Sequence, residues 1–159
     1  MFTRIIMSFR STESSSQGYP LATVGALVQH TDGRVLIVQT TKWRGSWGVP
    51  GGKVEWGESL EAALKREMME EVGLHIHGIR FALLQEAVLD FQFEKSAHFI
   101  LVNYFAYAGS DQISPNQEIL KWAWVEPRRA YSYPLNSYTR ALVDAYLKEN
   151  FLELERYGY

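Results

Sequence analysis

The sequence predicts a fold in which helices pack on a sheet, of the α+β or mixed α/β class. Three observations point there: β-branched apolar runs that recur along the chain, hairpin-type turn residues between two of them, and two helical patterns at separate places. At 159 residues the chain is close to the ~100–200 of a single domain. Its 47% hydrophobic content is enough to fill one core.

Residues 11–18, STESSSQG, are polar with nothing to bury. Residues 1–18 are therefore expected to be a flexible lead-in, and the domain to span residues 19–159. Ala22 to Gln29 and Arg34 to Thr40 are strand-like runs joined through His30-Thr31-Asp32-Gly33, whose Asp-Gly is a hairpin signal. Thr41 to Gly52 reads as a loop punctuated by Gly and Pro. A helix follows from about Ser59 to Val72, with Ser59 as N-cap, Glu61 in the first turn and Gly73 as the stop. Ile79 to Leu89, Ala97 to Ala108 and Leu120 to Val125 return to strand patterns. In the last of these Trp122 and Trp124 share a face, and both are expected in the core. A final helix is expected over Ser137 to Glu149, burying Leu142, Ala145, Tyr146 and Leu147.

Composition removes several function classes. A formal net charge of -2 supplies no field to hold nucleic acid or an anionic membrane, so neither partner is expected. The absence of cysteine excludes disulfides, thiolate nucleophiles and Cys-ligated metal. No apolar run approaches the ~20 residues of a membrane span, and Met1 to Phe9 lacks the features of a secretory signal. A cytoplasmic protein is expected, and a homodimer is compatible with it.

The chemistry concentrates in Gly52 to Leu74, GKVEWGESLEAALKREMMEEVGL. Taking 100° per residue from Leu60, Leu64 and Met68 fall near +40° and +80°, while Glu67, Glu71 and Glu70 fall near -20°, +20° and -80°. Carboxylates that share or border the apolar stripe are costly to desolvate unless a cation compensates them. Oxygen ligands at i, i+3 and i+4 suit Mg²⁺ or Mn²⁺, ions that commonly act on phosphates. Arg66 can pair with one carboxylate and hold it in place. The alternative is an ordinary amphipathic helix with i,i+4 ion pairs.

The spacing resembles the Nudix box, G-x5-E-x7-R-E-U-x-E-E-x-G-U with U aliphatic, at Gly52, Glu58, Arg66, Glu67, Met68, Glu70, Glu71, Gly73 and Leu74. Its seven single-residue requirements have a chance probability on the order of 10⁻⁹ per register. Trp47-Gly48-Val49-Pro50-Gly51 ahead of the box is similar to the family's common lead-in. The resemblance implies an α/β/α sandwich with a mixed sheet between helices. It also implies Mg²⁺- or Mn²⁺-dependent hydrolysis of a small-molecule substrate, a nucleoside diphosphate linked to another group, by water attack on phosphorus. By the same resemblance Glu67, Glu70, Glu71 and the carbonyl of Gly51 are metal ligands, Arg66 orients the glutamates, and Glu58 is an outer acidic position.

A base or further ligand is expected outside the box, and Glu118, just ahead of the last strand, is the candidate. Glu86, Asp90 and Glu94 compete less well, and Glu67 is the alternative base. Trp43 and Arg44, in the loop feeding the box, are candidates for stacking a base and gripping phosphate. Trp47 is assigned to packing and His98 to a core edge. Alternative functions are pyrophosphohydrolysis of nucleoside triphosphates and non-catalytic nucleotide sensing. The complete box, with no basic arm after it, disfavours sensing.

Overall fold

The computed structural model describes residues 18–157, so the expected lead-in lies, apart from Gly18, outside the described residues. Seven strands form one mixed sheet: β1 Leu21–His30, β2 Val35–Thr40, β3 Trp47–Gly48, β4 Gly51–Lys53, β5 Ile76–Val88, β6 His98–Ala108 and β7 Ile119–Val125. Helix α1 (Leu60–Val72) and helix α2 (Ser137–Tyr157) complete the architecture, with 3₁₀ turns at Thr41–Trp43 and Pro127–Ser132. The strands run in the order β3-β2-β1-β6-β5, with β4 joined to β1 and β7 to β2. This is the expected α/β sandwich.

The sheet is buried on both faces because its central strands are apolar throughout. Val24, Ala26 and Val28 of β1 with Leu36 and Val38 of β2 pack in one cluster with Leu64, Met68 and Val72 of α1. Leu27, Val35, Ile37 and Phe105 pack in a second cluster with Leu142, Val143 and Tyr146 of α2. Each fully buried aliphatic side chain contributes roughly 1.5–3 kcal/mol. On α2, Val143 takes the place in the core expected for Ala145 and Leu147, which are only partly buried.

The predicted hairpin is present but short. Near the turn Gln29 faces Val35, and the turn itself closes with His30 N–H donating to Arg34 O at 2.9 Å. Beyond it the two strands part. β1 runs parallel to β6 for ten residue pairs, from Leu21–Phe99 to His30–Ala108, while β2 pairs with β7 and β3. Strands buried on both faces need partners along both edges, which one hairpin cannot provide. The expected loop over residues 41–52 in fact contains a 3₁₀ turn and two short strands. The final helix extends to Tyr157, past the expected Glu149.

The expectation for Trp122 is also corrected. β7 is an outer strand, paired only with β2, so Trp122 remains 44% exposed. Trp124 is half-buried beside the α1-side core, and its Nε1–H donates to Asp111 O at 2.9 Å.

Candidate active site

Helix α1 presents the acids of the site. Ser59 Oγ accepts from Ala62 N–H at 3.2 Å to start the helix, and Gly73, at φ 71°, ends it. Between these caps Leu64, Met68 and Val72 have no exposed surface and fix the rotation of the helix on the sheet. That rotation buries Glu71 to 2% exposure, half-buries Glu67 and leaves Glu70 facing solvent.

β4 lies against this acidic face. Gly51 N–H donates to Glu71 Oε2 at 3.0 Å. Glycine is required here because a Cβ on Gly51 would strike the Val24 carbonyl, and one on Gly52 would strike the Glu67 carboxylate. The Gly-Gly pair therefore lets backbone approach the carboxylates directly.

Arg66 ties the outer acids together. Its Nε and Nη2 donate to the two oxygens of Glu58, each at 2.9 Å, and its Nη1 reaches Glu67 Oε1 at 2.9 Å and Glu70 Oε2 at 3.3 Å. A further bond runs to Lys53 O at 3.0 Å. The paired bonds from Arg66 hold the Glu58 carboxyl below its ordinary value, and those from Glu58 raise the guanidinium.

Lys42 was not singled out from the sequence. Its ammonium contacts Glu71 Oε1, Glu118 Oε2 at 2.6 Å and the Gly51 carbonyl at 3.3 Å. Burial lowers the Lys42 ammonium, but the charges of Glu71 and Glu118 outweigh it and the group sits above its ordinary value. Burial pushes the Glu71 carboxyl up despite Lys42 and the Gly51 N–H.

Three oxygens from α1, β4 and the loop before β7 thus already converge on one cation. Of these, the Glu71 carboxylate and the Gly51 carbonyl are hard oxygen donors of the kind that would suit a divalent ion in place of the ammonium, with Glu67 and Glu70 on the same helix. As they stand, no three acidic or imidazole groups among the described residues are gathered closely enough to hold an ion. The carboxylates are drawn in by Lys42 and Arg66 instead.

The loop carrying Glu118 is clamped to the end of α1: Ser114 N–H donates to Val72 O at 2.9 Å and Asn116 N–H to Glu71 O at 3.0 Å. The Asn116 side chain in turn accepts from Glu118 N–H at 2.9 Å.

From this cluster a cleft of about 460 Å³ runs over β1 and β6, the central strands of the sheet. Gly51, Glu67, Glu70 and Glu118 line its acidic end, and Trp43, Val49, Phe93, Phe99 and Leu101 its apolar end. Trp43 packs on Phe93 with centroids 4.3 Å apart and the rings tilted by 37°, and Phe93 on Phe99 at 4.5 Å with a tilt of 31°.

Among the expected substrate contacts, Trp43 lines the cleft and Arg44 does not. Arg44 is held by the fold, its Nε donating to Phe93 O at 3.0 Å. Glu94 lines the cleft rim, while Asp90 binds the Tyr138 hydroxyl at 2.6 Å, away from the acids. His98 pairs with Glu86 at 2.7 Å and takes no part in the cleft. Trp47 is buried against Tyr133, a packing role. Besides Lys42, sequence reasoning passed over Asn103, whose signal was a lone amide inside the apolar run HFILVNYFAYA.

Comparisons with known proteins agree with this geometry. A family model described as NUDIX domain matches residues 20–146. The CTP pyrophosphohydrolase of Escherichia coli (strain K12) is 31% identical over 130 residues, covering 78% of this chain and 89% of that protein. The nucleoside triphosphatase NudI of the same strain is 28% identical over 131 residues, covering 72% and 87%. Among solved structures, the MutT NUDIX hydrolase from Burkholderia pseudomallei superposes with a TM-score of 0.67 at 26% identity, covering 80% of this chain and 98% of that one.

Proposed function

The chain belongs to the NUDIX family and is a hydrolase of nucleoside phosphates, and from that premise we propose that its substrates are nucleoside triphosphates, split into nucleoside monophosphate and pyrophosphate. This is the alternative named from the sequence, favoured here over the first expectation, a nucleoside diphosphate linked to another group. One observation carries the reading: a single cleft joins a cation-gathering cluster of Glu71, Glu118 and the Gly51 carbonyl to an aromatic wall of Trp43, Phe93 and Phe99. The first end suits a charged phosphate chain and the second a planar base. The names of the Escherichia coli relatives, a CTP pyrophosphohydrolase and a nucleoside triphosphatase, support triphosphates over other nucleotides.

In this reading Glu67, Glu70, Glu71 and the Gly51 carbonyl would hold Mg²⁺ or Mn²⁺. When bound, the ion screens the negative charge of the phosphates and makes water a better nucleophile. Arg66 fixes the direction of the Glu67 carboxylate while its paired bonds to Glu58 anchor the guanidinium, which limits how far that glutamate moves when the acids gather. Lys42, which lines the cleft beside Glu71 and Glu118, would offer its positive charge to a phosphate chain there. Glu118 receives the proton of the attacking water while the water oxygen bonds to phosphorus and the bridging P–O bond breaks, leaving pyrophosphate. Its clamped loop keeps that carboxylate at the acidic end without a large closure.

The test is a product assay on the purified chain with Mg²⁺ and a panel of CTP, UTP, ATP, GTP, ADP-ribose and nucleotide sugars. Monophosphate and pyrophosphate from at least one triphosphate are expected. Turnover of ADP-ribose or a nucleotide sugar with every triphosphate untouched would overturn the reading.

A further inference from the structure

The apolar end of the cleft contains a polar group that the proposed chemistry does not use. Asn103 lies in the middle of β6, 7% exposed, with apolar Leu101 and Phe105 two residues to either side. Its Nδ2 donates to Gln85 Oε1 on the neighbouring strand at 2.8 Å. No donor among the described residues reaches its Oδ1. Among the described residues Thr40 Oγ1 is the fully buried side-chain polar atom that lacks a partner, so Asn103 Oδ1 is instead reached from the cleft that the residue lines, where a ligand donor can meet it.

The space in front of Oδ1 is kept open by the backbone. Gly25 of β1 is the parallel partner of Asn103, and a Cβ at position 25 would lie 3.1 Å from Oδ1 and 3.3 Å from Val49 Cγ2. A side chain there would fill the gap between the amide and Val49. The gap is bounded by the same residues that form the apolar end, Trp43, Val49 and Leu101. The result is an apolar slot with one oriented acceptor at its floor, held in place from behind by Gln85.

We propose that Asn103 is a specificity-determining residue that reads the base, its Oδ1 accepting a hydrogen bond from an exocyclic amino group of the cytosine or adenine kind. The proposal rests on the triphosphate reading above and adds to it which edge of the base is recognised. An oxo group at the same position presents a second acceptor to Oδ1 and gives up the bond. A site that leaves a buried polar group unpaired discriminates strongly against the analogue responsible. Cytosine should therefore be preferred to uracil and adenine to hypoxanthine, by roughly 10- to 100-fold in kcat/KM.

The experiment compares kcat/KM for CTP against UTP and for ATP against ITP in the wild-type chain, Asn103→Leu and Gln85→Leu. Each pair shares its sugar and triphosphate, so a general loss of folding or catalysis cancels in the ratio. In Asn103→Leu the two ratios should collapse toward one, mainly through loss of the amino-bearing substrate. Gln85→Leu removes only the anchor and should lower the ratios part of the way. It also keeps the test decisive if Asn103→Leu fails to fold. Wild-type ratios near one, a preference for the oxo bases, or ratios unchanged in the variants would overturn the proposal while triphosphate hydrolysis stands. Absence of hydrolysis for all four nucleotides would instead overturn the reading on which it rests.

Discussion

Replacing Lys42 with Met removes the cation that holds Glu71 and Glu118 together, and its cost follows from the burial of Glu71. The carboxylate is 2% exposed and would keep one partner, the Gly51 N–H at 3.0 Å. Leaving a buried charge without its counterion costs about 3–5 kcal/mol. Glu71 can avoid part of this by taking up a proton, which burial already favours. Relative to an unfolded glutamate of pKa ~4.3, protonation costs about 3.7 kcal/mol at pH 7 and about 1 kcal/mol at pH 5. The cheaper route sets the loss. Because the Lys42 side chain is 38% exposed and water can reach part of the pair, we expect a destabilisation of about 2–4 kcal/mol at pH 7 and about 1 kcal/mol or less at pH 5. Urea unfolding of both proteins in EDTA at the two pH values measures it. A loss of the same size at both pH values, or none at pH 7, would refute the account. Mg²⁺ adds a second readout. In the wild type the ion must displace the ammonium and in the variant it meets no competitor, so it should raise the Tm of Lys42→Met by more. A smaller rise would mean that Lys42 and the ion do not share those oxygens.

Activity should require Mg²⁺ or Mn²⁺ and vanish in excess chelator, because the converging groups are all oxygens; Glu71→Gln should lower kcat by at least ~10²-fold with an unchanged circular dichroism spectrum. Near-normal turnover under either condition would contradict the assignment of this cluster. Glu118→Gln should lower kcat by ~10²- to 10⁴-fold with KM altered much less, while Glu94→Gln, at the cleft rim, stays within a few-fold of wild type. If the two variants exchange behaviour, the base lies on the rim, and if neither loses rate, Glu67 becomes the base to test. Asp90, whose carboxyl the Tyr138 hydroxyl and the Gln92 amide hold below the ordinary 3.8, stabilises the fold above that value and loses this contribution as pH falls below it. Urea midpoints measured from pH 5 downward should therefore fall less steeply in Asp90→Asn than in wild type, and parallel curves would exclude the effect.

The parts of the molecule legible in the sequence are those whose causes are close together along the chain. Helix α1 announced itself through Ser59, the spacing of Leu64 and Met68, and Gly73, and those same positions fix which way Glu71 points. The β1–β2 turn was legible for the same reason, since Asp-Gly acts locally. What followed the turn was not. The ten-pair parallel contact of β1 with β6 joins residues some eighty positions apart, and nothing in either run states its partner. Trp122 was misjudged because alternation tells which residues share a face, and says nothing about whether a helix reaches that face. Arg44 lies outside the cleft lining, with a left-handed backbone at φ 51° and its Nε donating to Phe93 O, a local geometry that its residue type does not announce.

The same distinction divides the site itself. Most of its acidic end comes from one helix and the two glycines beside it, so a short stretch of sequence is sufficient to make that end legible. The apolar end is assembled from Thr23 and Gly25 on β1, Trp43 and Val49 in the intervening loops, Phe93 before β6, and Leu101 and Asn103 on β6. Each of these is an ordinary residue where it stands, and only the parallel register that sets Gly25 beside Asn103 turns an amide in a buried strand into an acceptor facing an open slot. Lys42 belongs to both ends. Its stem lines the cleft while its ammonium neutralises Glu71 and Glu118, so the acids can stay buried before any ion arrives. On the proposed reading, a single change in the apolar wall should alter which base is accepted without touching the carboxylates, whereas a change at Glu71 should cost the reaction itself. The acids of α1 and the glycines beside them are close together in the chain, whereas the residues of the apolar wall meet only through the register of β1 with β6.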